Sequence, residues 1–361
     1  MKKRTGIFGC IGLILLSLNS YASVTEEKDS LPQIEIKNQT VNLGMEAYLV
    51  HEISDLKSAN PWTEDMDIET LPVYRNTRVY DEEGRVSSFD LEQMKIVLEE
   101  MVERLDLTYS EEFLQSAGGM DQETLDWIAE QNDGDVPEEY LYVKSLALND
   151  DGVKIMVNDN LNVEIIYTPC LELTDDLVFA YTSAYADLEE TASYLQEKYQ
   201  AIWDEKPHIV DINGGDYTFS GEQQWSIDFF LEGETLEEQI VNYNFHRTSF
   251  VSDGQDCLWT IRQYKEDLSE KVGDYPIINA EEAKAYLLDY KFWTTAEFLP
   301  EEEGIGKVDL IYKTGNENEY FIPYYRFWVQ DLADKKESEF ITYATFYVPA
   351  IEQTYIKGME E

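Results

Sequence analysis

The chain is predicted to be an α+β protein made of repeated units, each one helix packed on an antiparallel sheet, in two to three sub-domains. Three observations carry this. Three segments place apolar residues at steps of three and four behind a capping signal. Each is followed by alternating or doubly apolar runs punctuated by turn residues. The helix starts, at Asp90, near Asp187 and at Asn279, recur at nearly equal spacing without a residue-level repeat. That favours a recurring plan of layers over a duplicated sequence.

The N-terminus reads MKKRTGIFGCIGLILLSLNSYAS. Lys2, Lys3 and Arg4 form a basic region, and Ile7 to Leu18 an apolar one too short for the roughly 20 residues that span a bilayer. Ser20-Tyr21-Ala22 offers small residues at the two positions a signal peptidase reads. Residues 1–22 are therefore expected to be a secretory signal peptide cleaved after Ala22. A lipid anchor on Cys10 fits less well, because almost no apolar region precedes it; an uncleaved membrane anchor is the third reading. No later stretch is long and apolar enough for a transmembrane helix, so no integral membrane segment is expected after cleavage. The expected location is extracellular, associated with the cell envelope. Residues 23–45 are polar and lack helical periodicity, which suits an N-terminal tether or a loosely held first strand.

An N-terminal α+β domain is expected over 46–180. NPWTEDMDIETLPVYRN is extended, because Pro61 and Pro72 oppose helix. A helix then starts at Asp90, with Gln93 as capping partner, and Leu91, Met94, Leu98, Met101 and Leu105 share one face. A shorter helix covers Gln122 to Glu130. The strands of YLYVKSLALNDDGVKIMVNDNLNVEIIYTP turn at Asp151-Gly152. A middle α+β domain is expected over 181–272. Its helix starts near Asp187 with Glu190, and Leu188, Ala192, Leu195, Tyr199 and Ile202 form the stripe. HIVDI, QQWSIDFFLEG and VNYNFHRTSFVSDGQDCLWTIRQYKED follow as strands, the last turning at Asp253-Gly254. A C-terminal α+β domain is expected over 273–361. Its helix starts at Asn279 with Glu282 and buries Ala283, Tyr286, Leu287 and Tyr290, ahead of KVDLIYK, NEYFIPYYRFWVQD and EFITYATFYVPAIE.

The segment from Tyr320 to Val329 is apolar on both faces of a strand, whereas a strand with one wet face alternates. One helix covers one face, so a second layer is required. The preceding β-rich domain is the expected cover, with a ligand or partner protein as the alternative. Pro323 lacks a ladder donor, which suggests an edge or a bulge where another chain could add a strand.

Asp and Glu number 74 against 27 Lys and Arg, a net charge of −47. Such a surface repels phosphate backbones and anionic lipid, which argues against nucleic-acid and peripheral membrane binding. Solubility or adaptation to salt accounts for the charge; weak Ca²⁺ association is its functional reading. Past the signal, Cys170 and Cys257 either form a disulfide, which a secreted chain permits, or sit as small buried hydrophobes.

Signatures of catalysis are absent. The chain has no Gly-rich phosphate loop, no G-x-S-x-G elbow and no His-Glu-x-x-His. His51, His208 and His246 are scattered without ligand spacing, and the sequence around Gly134, Gly152 and Gly254 lacks the oxygen ligands of a calcium loop. A pair formed by Cys170 and a histidine across the fold stays open. No catalytic residue, metal or cofactor is expected. A glycosidase needs only two carboxylates at a set separation, but 74 acidic residues create such pairs by chance. Arg326 stands among Tyr324, Tyr325 and Trp328 in a cation-poor chain. These four are the expected partner-binding residues, through an anion or peptide stacked on the rings; the alternative is an arginine that merely satisfies nearby carboxylates.

DYPIINAEEAKAYLL, KVDLIYKTGNENEYFIPYYRFWV and YATFYVPAIE together resemble secreted and lipoprotein-like proteins of Gram-positive bacteria. The C-terminal part is similar to the repeats of YycI and YycH, extracytoplasmic regulators of a membrane histidine kinase, and more loosely to PepSY-like domains. Over nearly its whole length the chain resembles an uncharacterised secreted clostridial family. The resemblance implies an α+β envelope protein that binds a protein or peptide partner and regulates a membrane signalling protein, without catalytic residues. The regulators carry an N-terminal transmembrane helix where this chain has a cleavable signal. The second function expected from the sequence is an envelope glycan-binding protein or glycoside hydrolase that uses paired carboxylates.

Overall fold

Alternating and doubly apolar runs make sheet the dominant element of this chain. The structure, a computed structural model, describes residues 31–36, 46–78, 91–107, 114–117, 120, 122–132, 134–136, 143–150, 152–174, 176–203, 209–315, 318–332 and 339–358. The signal peptide, its cleavage site, most of the tether, Asp90 and His208 lie outside them. In chain order the N-terminal part contains β1 (Ile34–Glu35), β2 (Ala47–Val50), β3 (Thr70–Arg75), α1 (Leu91–Arg104), β4 (Leu114–Ala117) and α2 (Gln122–Gln131). Then come β5 (Ser145–Asp150), β6 (Val153–Asn158), β7 (Val163–Glu172), α3 (Tyr185–Lys198), β8 (Ile209–Tyr217), β9 (Gln223–Phe230) and α4 (Leu236–Phe245). The remainder is β10 (His246–Ser252), β11 (Cys257–Lys265), β12 (Lys271–Pro276), α5 (Ala280–Leu288), β13 (Trp293–Thr294), β14 (Ile305–Tyr312), β15 (Tyr320–Phe321), β16 (Pro323–Gln330), β17 (Ile341–Pro349) and β18 (Ile356–Lys357). The fold class is α+β.

The described strands form four sheets. An eight-stranded antiparallel sheet runs β4-β5-β6-β7-β11-β10-β9-β8. A five-stranded sheet runs β13-β17-β16-β14, with β2 also on β17. A three-stranded sheet runs β12-β3-β15, and β1 pairs with β18 in parallel. Strand pairing crosses the expected domain boundaries. The large sheet takes strands from both 46–180 and 181–272, joined where Ile165 faces Ile261 between β7 and β11. β2 and β3, from the expected N-terminal domain, pair with β17, β12 and β15 near the C-terminus. Gln33–Glu361 is one compact unit. Local patterns mark strands, but partner choice rests on long-range burial that no single segment encodes.

The helices follow from their stripes and caps. α5 begins at the expected capping box: Glu282 N donates to Asn279 Oδ1 at 2.9 Å and Asn279 N to Glu282 Oε2 at 3.2 Å. Its Ala283 and Leu287 are fully buried, whereas Tyr290 lies past the helix end and is 62% exposed. α1 buries Met94, Leu98 and Met101 against β5 and β6, but Leu91 stays exposed. α3 starts at Tyr185 rather than Asp187, with Ala184 as an N-cap that makes no side-chain bond. Leu188, Ala192 and Leu195 are buried from it, and Tyr199 and Ile202 from the turn that follows. α4 replaces part of an expected strand. Thr235 caps it by accepting from Glu238 N at 3.2 Å, and the run Val241–Phe245 finishes as helix. Among the described residues no helix is long and apolar enough to cross a membrane.

Two large apolar cores and a smaller cluster lie among the described residues. One lies between the large sheet and α1 and α3; the other joins α4 and α5 to β14, β16 and β17. β16 answers the question of the doubly apolar segment. Tyr325, Phe327 and Val329 enter the second core. On the opposite face Trp328 packs with Val50, Leu56 and Tyr343, and Tyr324 meets the Tyr347 ring edge-on. β16 is paired on both sides, by β14 and β17, so it is not an edge. Pro323 is its first residue, where a missing donor breaks no ladder bond.

Candidate functional site

The segment after β2 runs between two sheet edges. Lys57 and Gly214 of β8 exchange backbone hydrogen bonds at 2.7 and 3.1 Å. Ala59 N donates to Asp211 Oδ1 at 2.6 Å, and Asn60 Nδ2 to the Leu310 carbonyl of β14 at 3.2 Å. β8 and β14 are the edge strands of the large and five-stranded sheets, so residues 57–60 act as a strap between them. The close approach depends on glycine. Gly214 and Gly215 have φ of +128° and +93°, and a Cβ on Gly215 would collide with the Asp55 carbonyl.

Beside the strap lies a cleft of about 580 Å³. The large sheet contributes Asn213, Asp216, Trp225, Ser226, Arg247 and Arg262; β14 and β16 contribute Lys307, Ile311, Arg326 and Trp328; Lys57, Tyr48 and Tyr243 complete the walls. Each wall holds an ion cluster. Asp211 and Asp228 face each other across β8 and β9, and both side chains are almost fully buried. Arg247 Nη2 binds Asp228 Oδ2 and stands 3.4 Å from Asp211 Oδ2; Ser226 Oγ adds a bond of 3.1 Å to Asp228. Burial, reinforced by the Asp228 charge, pushes the Asp211 carboxyl up to about 6 against the opposing pull of Arg247 and the Ala59 amide.

On the other wall Asp309 and Arg326 are register partners on β14 and β16. Arg326 Nη2 and Trp328 Nε1 each donate to Asp309 Oδ2 at 2.8 Å, and Lys307 Nζ lies 3.2 Å from Oδ1. Burial works to raise the Asp309 pKa, but Arg326, Lys307 and the indole together hold it below the usual carboxylate value. Burial also disfavours the charge on Arg326 and Arg247, yet their aspartates keep both firmly protonated. Arg262 binds Glu164 at 2.9 Å.

In both clusters the carboxylates sit behind and the cations face the lumen. Lys57, Arg247, Arg262, Lys307 and Arg326 line the cleft, and Asp216 is the single carboxylate among its lining residues. Asp216 itself is tied to Leu49 N at 2.7 Å. Among the described residues no Cys or His lines the cleft. Its Ser226 hydroxyl is committed to Asp228, so a nucleophile with an adjacent imidazole base is not assembled there. The arrangement can hold an anionic group against aromatic walls.

The four residues singled out around Arg326 are separated by the period of the strand. Arg326 and Trp328 line the cleft, whereas Tyr325 points the other way and donates its hydroxyl to the Ile278 carbonyl at 2.7 Å inside the core. Tyr324 is buried against Tyr347. As a set they do not form an exposed surface: Tyr325 lies on the opposite face from the other three, and Tyr324 is buried. Cys170 and Cys257 are joined as a disulfide between β7 and β11, with Cα atoms 5.6 Å apart, which removes the Cys170 thiol as a nucleophile. Asp253 lies beside them, but with both sulfurs bonded to each other that trio keeps one carboxylate for a metal. His51 stacks on Phe340 with ring centroids 4.7 Å apart, and His246 Nδ1 meets Asn242 Oδ1 at 3.1 Å.

Sequence reasoning missed Asp211, Asp228 and Asp309. Each sits alone in an apolar strand, in HIVDI, WSIDFF and KVDLIY. A lone carboxylate in such a run signals a buried partner, and the scarce arginines were the place to seek it.

No protein-family model and no curated protein matches this chain. Among solved structures, the crystal structure of an uncharacterized protein from Eubacterium rectale ATCC 33656 is similar over 79% of this chain and 84% of its own. The two are 8% identical, with a TM-score of 0.36. A likeness of that degree assigns no function.

Proposed function

We propose that this chain is a non-enzymatic binding protein, secreted to the cell envelope, that takes a peptide segment of a partner protein into the cleft between its sheets. The partner is a membrane or envelope protein, and the binding regulates it. One observation carries the reading: in a chain of net charge −47, the cleft is walled by aromatic rings and five cations. Its volume of about 580 Å³ falls within the range of ordinary ligand sites. The N-terminal signal and the disulfide favour an oxidising compartment outside the cell. A glycosidase needs two carboxylates facing the substrate, and a single one lines this cleft.

The test is selection of peptides from a random displayed library on the folded protein, followed by NMR of the tryptophan indoles. Selected peptides are expected to shift the Trp225 and Trp328 signals and to lose affinity on Trp225→Ala. If envelope polysaccharide fragments shift those signals and no peptide does, the peptide reading is wrong and the glycan-binding alternative replaces it.

A further inference from the structure

Arg326 is committed to Asp309 through Nη2, but its Nε is buried and has no hydrogen-bond partner among the described residues. Trp225 Nε1, on the opposite wall of the same cleft, is also buried without a partner. Buried donors are almost always satisfied, so two orphans on one cleft mark places where an acceptor is missing. The ammonium of Lys57 adds a third donor: Lys57 is exposed, lines the cleft, and is held there by its backbone bonds to Gly214.

Resting on the reading of the cleft as a ligand-binding site, we propose that Arg326, Lys307 and Lys57 form a carboxylate-recognition subsite, which takes an acidic side chain of a bound peptide. Planar guanidinium donors suit a planar carboxylate. The charge balance selects a monoanion. The five lining cations are matched by Asp211, Asp228, Asp309, Glu164 and Asp216, so the set is neutral when all are ionised. One added negative charge can be offset by a proton on Asp211, which is already inclined to hold one. A phosphate dianion would leave a second charge unmatched. The acidic remainder of the surface repels acidic chains at long range, so recognition is local and depends on the buried forks.

The subsite is tested by titrating the full-length mature protein with N-acetyl-tetraglutamate amide, N-acetyl-tetraglutamine amide and inorganic phosphate, each followed by the indole signals of Trp225 and Trp328. Tetraglutamate is expected to shift both signals. Arg326→Lys keeps the Asp309 partner but removes the fork, and should weaken binding about tenfold. Lys57→Ala touches an exposed side chain and should weaken it about threefold without affecting folding. Equal binding of tetraglutamine overturns the carboxylate subsite while the peptide-binding reading stands. Shifts with phosphate and none with tetraglutamate also overturn it, in favour of a phosphate site. Silence from all three overturns the subsite, and the selected peptides then decide separately whether the cleft binds anything.

Discussion

Asp309 ties three side chains of the cleft wall together, and replacing it gives a sharp test of the packing argument. Its side chain is 3% exposed and accepts from Arg326, Trp328 and Lys307. Asp309→Leu would preserve the apolar setting between Val308 and Leu310 but strand the Arg326 guanidinium, itself 19% exposed. Breaking a buried pair from one side costs about 3–5 kcal/mol. Part of that is the indole of Trp328 left without an acceptor, about 1–3 kcal/mol. Lys307 is 28% exposed and can turn to water, so its share is small. Urea unfolding followed by near-ultraviolet circular dichroism should therefore show a loss of about 4 kcal/mol at pH 7. The double substitution with Arg326→Met removes the stranded charge as well and should recover most of that loss. The pH dependence has a fixed sign. The Asp309 pKa is lowered on folding, so its stabilisation is present above the unfolded value near 3.9 and disappears as pH falls through the folded value. A loss below about 1 kcal/mol for the single variant, or a double variant no more stable than the single, would refute the reasoning.

Other outcomes follow from the same structure. Asp211 is shifted upward, from 3.8 to about 6, so its ionisation opposes folding: the chain should lose about 2 kcal/mol as pH rises from 4 to 6.5, and Asp211→Asn should flatten that slope in urea titrations across the range. Removing the disulfide with Cys170→Ala and Cys257→Ala frees a sequence separation of 87 residues; the chain-entropy relation gives about 4.6 kcal/mol, read as a lower urea midpoint. Gly215→Ala should cost more than about 2 kcal/mol, through positive φ and the clash with Asp55, and should speed hydrogen exchange at the Lys57 amide. Asn279→Ala should cost about 1 kcal/mol, measured the same way, by removing the α5 cap.

Elements whose signals are local were legible in the sequence. The α5 capping box needs only Asn279 and Glu282, and the α1 stripe only residues within a few turns. α4 was missed because Val241–Phe245 is rich in aromatic and β-branched residues, which suit strands, and the Thr235 cap with its following helix outweighed that preference. The site was half legible. The scarcity of cations drew attention to Arg326, but its neighbours in sequence lie on both faces of β16, and its working partners come from strands far away in the chain. A carboxylate isolated in an apolar run was the signal for the rest.

The union of first and last strands sets a timetable for the chain's maturation. Tyr347 OH donates to Glu46 Oε2 at 2.6 Å across a separation of 301 residues, and β2 and β3 find their partners only in strands from 271 onward. At ribosomal speeds of about 5–20 residues per second, the early strands wait roughly 10–60 s for those partners to be made. During that interval Leu71 and Val73, later fully buried, have nothing to pair with. The N-terminal third cannot settle as an independent domain in the meantime. Synthesis of the strands from 271 onward is the event that lets these early strands close.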